Sequence, residues 1–323
     1  MPETVSDAIE VLFACPVVRL RTELTLDRPL VLAEIDHASL ATTLAGAFKK
    51  GLKRSACAAS QCGSVLCAVE ADGRVRCESP ATCELPWLYR PYDGYQLLPC
   101  VTVAPLNRFS GTDVLSIDLV LRGKRAVAMR TVVKQALEHA GRLGLNDIRG
   151  KVSFETKSMA VAPAQCSRDM AAKSRPFGGG CFRLEFVSPF QPPVKDQDVP
   201  FSQERLVRWI AQAAYNGARF ALADLKLPGE PSDHHVLALA VKASASEKLP
   251  RGIRVLSCDI DEAPIGQRRS GSNGACFPLG GWRGTIDLSA TAETLPWLAN
   301  FVLFGGTRQS LGQSRLRLWA DLE

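Results

Sequence analysis

His37 stands at the predicted start of a helix, where the positive end of the helix dipole disfavours the imidazolium and leaves a neutral ring able to accept a proton. A solvent-exposed histidine at a helix start is the competing reading. Arg19 and Arg21, two residues apart in a predicted strand, share one face and can point toward a cleft between two halves of the chain. The terminal loop Gly305-Gly306-Thr307-Arg308-Gln309-Ser310-Leu311-Gly312 leads from a helical run into a strand. Its glycines let backbone amides approach a phosphate, and Arg308 supplies a bidentate donor. A tight connection alone explains two glycines, but not the adjoining Arg308, Gln309 and Ser310. Arg268 and Arg269 lie in the Gly-rich stretch Pro264 to Gly281, which reads as a hairpin or flexible arm, with a disordered surface loop as the alternative.

Other candidates are weaker. Lys49 and Lys50 lie on the same helix as His37, roughly 18 Å further along at 1.5 Å per residue, so they suit a second grip on a polyanion and not the same pocket. Lys53 and Arg54 read as a solvated face. His234 and His235 are adjacent and cannot face the same way from a strand, so a surface turn after Pro231 accounts for them. His139 falls within a helix as a structural or exposed residue.

The elements that must position these groups fall into two halves with one grammar. Val11 to Leu32 reads as extended structure, followed by a helix in which Leu40, Leu44, Phe48 and Leu52 form one apolar stripe, with Asp36 as N-cap and Gly51 weakening the last turn. Leu97 to Val103 and Val114 to Leu121 form a strand pair. Met129, Val132, Val133, Ala136, Leu137 and Ala140 make a second helical stripe that stops at Gly141 and Gly144, and Val152 to Thr156 supplies a fourth strand. Residues 158 to 180, with Pro163, Pro176 and three consecutive glycines, look like a linker or a mobile surface connection. The grammar then restarts: a strand at Phe182 to Phe186, a helix capped by Ser202, a strand pair at Val236 to Ala243 and Gly252 to Ile260, a strand from Trp282 to Ser289, a helix from Thr294 to Phe304, and a strand from Ser314 to Trp319. The expected fold is α+β, two tandem ferredoxin-like β-α-β-β-α-β domains. Residues 1–160 form the first, with a Cys-containing insertion at about 55–95; residues 161–181 link it to the second, residues 182–323.

Composition is that of an ordinary globular protein: 46% hydrophobic and 22% charged residues over 323. The formal net charge of +6 favours a polyanionic partner, and its distribution matters more than its sum. From His37 to Val69 there are four basic residues and no acidic one; from Ile265 to Trp319 six arginines face only Asp287 and Glu293. No apolar run is long enough to span a bilayer, and Glu3, Asp7 and Pro16 interrupt anything resembling a secretion signal, so the expected location is cytoplasmic, with no membrane partner. Of eleven cysteines, Cys57, Cys62, Cys67, Cys77 and Cys83 cluster without the close CxxC pair of a structural zinc site, so they are read as reduced thiols, against a metal site. No cofactor is expected.

The chain resembles the CRISPR-associated endoribonucleases of the RAMP superfamily that process precursor crRNA. The resemblance covers most of the chain in element order and is carried by four places. These are the helix Leu44-Ala45-Gly46-Ala47-Phe48 with its basic tail, followed after the insertion by Leu88-Tyr89-Arg90-Pro91; Ala136-Leu137 to Gly144-Leu145, with basic residues around Arg149; Leu184-Glu185-Phe186-Val187-Ser188-Pro189 and the helix after it; and Gln267-Arg268-Arg269-Ser270, then Leu279-Gly280-Gly281-Trp282-Arg283-Gly284, then the terminal loop. The resemblance implies metal-independent cleavage of a CRISPR repeat hairpin by 2′-OH attack, leaving a 2′,3′-cyclic phosphate and a 5′-OH. It also implies retention of the crRNA in an effector complex with other CRISPR subunits, as some members do. It makes His37 the leading base, since the family often places a catalytic histidine in or near the first helix; Arg19, Arg21 and Arg268 are the other catalytic candidates, and because some members use Lys or Arg instead, the resemblance leaves Arg268 and Arg308 a role beyond binding. RNA contacts fall to Lys49, Lys50, Arg268, Arg269, Gly305, Gly306, Arg308, Gln309, Ser310 and Gly312. The alternatives are a non-catalytic RNA-binding RAMP subunit of an effector complex and, more distantly, an unrelated ferredoxin-like enzyme using the cysteines for metal.

Overall fold

The computed structural model describes residues 4–30, 37–56, 101–105, 113–147, 150–173, 179–190, 200–225, 234–269, 276–305 and 316–320. In the first half, β1 (Val17–Leu26), α2 (His37–Ala56), β2 (Val101–Pro105), β3 (Val114–Arg122), α3 (Gly123–Ala128), α4 (Arg130–Leu143), a small hairpin of β4 (Leu145–Asp147) and β5 (Gly150–Val152), and β6 (Phe154–Val161) follow in order. The main sheet runs β2-β3-β1-β6. In the second half, β7 (Gly179–Phe190), α6 (Gln203–Asp224), α7 (His234–Gly252), β8 (Ile253–Arg269), β9 (Cys276–Thr291), α8 (Leu295–Phe304) and β10 (Leu316–Ala320) build a sheet ordered β10-β7-β9-β8. Each sheet places its strands fourth, first, third, second, with antiparallel pairs throughout, so both halves have the ferredoxin-like topology that the element order predicts.

The helical stripes are buried as the spacing requires. Leu40, Leu44, Phe48 and Leu52 of α2 meet Val133, Ala136, Leu137 and Ala140 of α4 over Leu20, Leu24, Ile117 and Leu119 of the sheet, each buried Leu, Ile, Val or Phe side chain worth about 1.5–3 kcal/mol. Gly51 is needed where α2 and α4 press together: a Cβ there would strike the Ala136 carbonyl oxygen and lie 2.9 Å from the Ala140 nitrogen. Gly141 stays inside α4, and the helix ends at Gly144, whose φ of 74° puts it in the left-handed region.

Several expectations are corrected. The segment read as extended from Val11 begins as a helix, α1 (Val5–Ala14), started by a capping box in which Thr4 Oγ1 accepts from the Asp7 amide and the Asp7 carboxylate accepts from the Thr4 amide. Its Ala8, Leu12 and Phe13 enter the second core, with Phe13 edge-on to Trp297 at 4.8 Å. The expected strand at Val236 to Ala243 is instead part of α7, whose buried Ala238, Val241, Ala245 and Leu249 recur at helical intervals; β8 starts only at Ile253 and pairs with β9. Within 158–180, β6 continues to Val161 alongside β1, and a short helix, α5 (Ser167–Lys173), buries Ala171 against the second core. Pro264 to Gly281 carries the far end of the β8–β9 hairpin, with Arg268 opposite Phe277 and Arg269 opposite Cys276.

The two halves share packing. Phe220, Ala221, Leu303 and Phe304 of the second half belong to the first core. Buried Arg122 at the end of β3 donates from Nε to the Leu303 carbonyl oxygen at 2.9 Å, closing the C-terminal turn of α8. Asp224, at the end of α6, accepts from the Lys124 amide at 2.6 Å and the Arg125 amide at 3.4 Å, capping the first turn of α3 from the other half. Burial pushes the Asp224 carboxyl up, against the downward pull of those two amides and of the Arg125 and Lys124 charges.

Candidate nucleic-acid interface

Strand alternation decides which side chains leave the cores. On β1, Val18, Leu20, Thr22, Leu24 and Leu26 are buried, which sends Arg19, Arg21 and Glu23 to the opposite face. Register sets Arg21 opposite Asp118 and Arg19 opposite Val120 on β3. Asp118 is buried on that polar face, and its charge opposes the downward shift that burial imposes on Arg19; Arg317 and Arg21 act in the same direction as burial. An arginine so placed stays charged. The Arg19 Nε is buried with no hydrogen-bond partner among the described residues.

Arg317 belongs to β10, on the edge of the second sheet, and its charge acts on Arg19 of β1 in the first. On β10, Leu316 is buried opposite Phe186 and Leu318 lies opposite Leu184, which turns Arg317 and Trp319 to the free face, opposite Glu185 and Arg183. Trp319 Nε1 donates to Glu185 Oε2 at 3.0 Å, Arg317 lies 3.6 Å from the same oxygen, and the Arg317 guanidinium sits 5.0 Å from the Trp319 ring centroid. One strand over, Arg183 makes a bidentate pair with Asp287 at 2.7 and 3.0 Å, and Ser257 donates to Asp287 at 2.9 Å. The Arg183 hydrogen bonds hold the Asp287 carboxyl below its ordinary value, with burial opposing and Ser257 assisting. The two sheets thus present arginines positioned by carboxylates, together with one half-exposed tryptophan.

The other expected site residues are distributed as follows. His37 is the first residue of α2, a helix that also meets β7; the His37 side chain lies outside what is described, as do those of Lys49, Arg268 and Arg269. Lys50 is exposed on α2. Gly305 ends α8, its amide donating to the Phe301 carbonyl oxygen at 2.7 Å, and a Cβ there would strike that oxygen and the Phe301 ring. Packing at the helix end therefore explains this glycine. Gly306, Arg308, Gln309, Ser310 and Gly312 lie outside the described residues, as do Asp36 and the cysteines from Cys57 to Cys83. His234 and His235 sit in the first turn of α7, not in a strand or a turn, and His235 Nδ1 is 2.8 Å from the Tyr215 hydroxyl. Among the described residues Cys15, Cys166, Cys181 and Cys258 are free thiols, no group of three or more His, Cys, Asp or Glu could hold a metal ion, and no helix is long and apolar enough to cross a membrane. Arg183, Glu185, Arg317 and Trp319 escaped the sequence reading, although the alternation Leu316-Arg317-Leu318-Trp319 carries the signal of a strand with one polar face.

Solved structures supply the comparison that this geometry calls for. A Cas6 product complex superposes with a TM-score of 0.54 at 14% identity, over 95% of this chain and 100% of that one. Thermus thermophilus Cas6 gives 0.51 at 14% identity, over 95% and 99%. The chain has the Cas6 fold. The Cas6 likeness spans both halves, so the tandem arrangement is shared and not only a single ferredoxin-like unit. No protein-family model matches the chain, and no curated protein matches it.

Proposed function

We propose that the chain is a CRISPR-associated RAMP endoribonuclease that binds the CRISPR repeat hairpin and cuts precursor crRNA into mature crRNA. The observation that carries this reading is the likeness to Cas6 over nearly the whole of both chains. The arginines that β1 and β10 carry on their polar faces, whose charges act on one another, support it as places where RNA can lie. In the proposed reaction a base takes the proton of a ribose 2′-OH, the 2′-oxygen bonds to the adjacent phosphorus, and the bond from phosphorus to the 5′-oxygen breaks. An acid protonates the departing 5′-oxygen, so the products are a 2′,3′-cyclic phosphate and a 5′-OH, with no metal. His37 is the proposed base. Arg19, Arg21 and Arg268 are proposed to offset charge on the phosphorane, and Lys49, Lys50, Arg269 and the loop from Gly305 to Gly312 to hold the RNA backbone. The product is proposed to stay bound and to enter an effector complex with other CRISPR subunits.

A repeat RNA carrying a single 2′-deoxy nucleotide at the scissile position tests the chemistry. The expected result is unchanged affinity and no cleavage. Cleavage of the deoxy substrate would contradict 2′-OH attack. Tight binding of the all-ribose repeat with no cleavage would favour a non-catalytic RNA-binding subunit instead.

A further inference from the structure

Trp319 is the one large aromatic side chain among the described residues that is both exposed, at 48%, and set on the polar face of a sheet. An exposed tryptophan on an edge strand adds nothing to a core, yet its indole is held on two sides: its N–H is fixed by Glu185 and Arg317 stacks against the ring. A ring so fixed presents a flat apolar surface at little entropic cost on binding. The charges around it are largely matched, Arg183 by Asp287 and Arg317 by Glu185, so the ligand surface it suits is planar and uncharged.

We infer that Trp319 and Arg317 form a platform for one unpaired nucleotide of bound RNA, the base stacked on the indole. This rests on the RNA-binding reading above and adds to it a single-stranded subsite, because bases inside a hairpin stem are already stacked and cannot reach a side chain. Stacking of one base on an aromatic side chain is worth roughly 1–3 kcal/mol, which is about 5- to 150-fold in affinity.

The test is the affinity of the full chain for a single-stranded 12-nucleotide RNA, measured for the wild type, Trp319→Ala and Trp319→Phe over a range of salt. The expected result is a loss of about tenfold or more for Trp319→Ala with an unchanged salt slope, and near-wild-type binding for Trp319→Phe. Scanning one abasic nucleotide along the RNA should find a position that weakens wild-type binding as much as the alanine substitution does, and at which the two losses do not add. Equal affinity of wild type and Trp319→Ala, a loss appearing only as a changed salt slope, or no wild-type binding to this RNA would overturn the platform. Cleavage of repeat RNA by the same preparations separates the two claims: a protein that cuts the repeat while Trp319→Ala binds as well as wild type loses only the platform, whereas one that neither binds nor cuts the repeat loses the functional reading as well.

Discussion

Arg183 and Asp287 illustrate how far single residues on the open sheet are prearranged. Two parallel hydrogen bonds and the Ser257 hydroxyl lower the Asp287 carboxyl pKa. A depressed carboxyl stabilises the fold at pH values above the ordinary 3.8, and that contribution disappears as pH falls through the lower folded value. Asp287→Asn should therefore flatten the acid limb of the stability profile below about pH 4 while leaving its shape near neutrality, as read by urea unfolding at stepped pH. Asp224 acts in the opposite sense. Burial raises its carboxyl, so the cost of ionising it is absent below the unfolded value and grows as pH rises through the folded one. His37, at the start of α2, carries the proposed chemistry. His37→Ala should lower the cleavage rate by about 10²- to 10⁴-fold with RNA affinity retained; cleavage at the wild-type rate would remove it from the mechanism.

At the scale of elements, the α2–α4 contact shows packing overriding propensity. Alanine is favoured over glycine inside a helix by about 1 kcal/mol, yet at position 51 a Cβ would run into the backbone of α4 at Ala136 and Ala140. Gly51→Ala should therefore destabilise the protein by about 1–3 kcal/mol in denaturant unfolding, since overpacking outweighs the propensity gain; a stabilised variant would mean the helices can part at no cost. This glycine was legible only as a weak helix position, because the clash depends on a helix some eighty residues away. The amphipathic stripes of α2 and α4 were legible, since one buried face at helical spacing is a local property. α1 was not, because Val11, Leu12 and Phe13 crowd together as in a strand, and only the Thr4–Asp7 capping box marks the turn. α7 is hard to read because Val236 and the histidines at its start suit a strand as well as a helix, and its buried stripe is thin, with two alanines among Ala238, Val241, Ala245, Leu249 and Gly252. The polar face of β10 was legible in principle, but nothing in the sequence says that β10 lies beside β7.

At the scale of the molecule, the halves repeat one topology and are joined by buried polar contacts as well as by apolar packing. Arg122 closes α8 and Asp224 caps α3. Gly305, where α8 ends, is thus tied to β3 of the other half. Shared fold over nearly the full length of Cas6, together with the arginines on β1 and β10, underlies the central proposal that this chain cuts CRISPR repeat RNA without metal. The most direct measurement is incubation of the full chain with a repeat-containing RNA in excess EDTA, with the product termini identified by mass spectrometry. The expected result is one cut in the repeat, leaving a 2′,3′-cyclic phosphate on one fragment and a 5′-OH on the other. Intact RNA in EDTA, or termini bearing a 5′-phosphate, would contradict it.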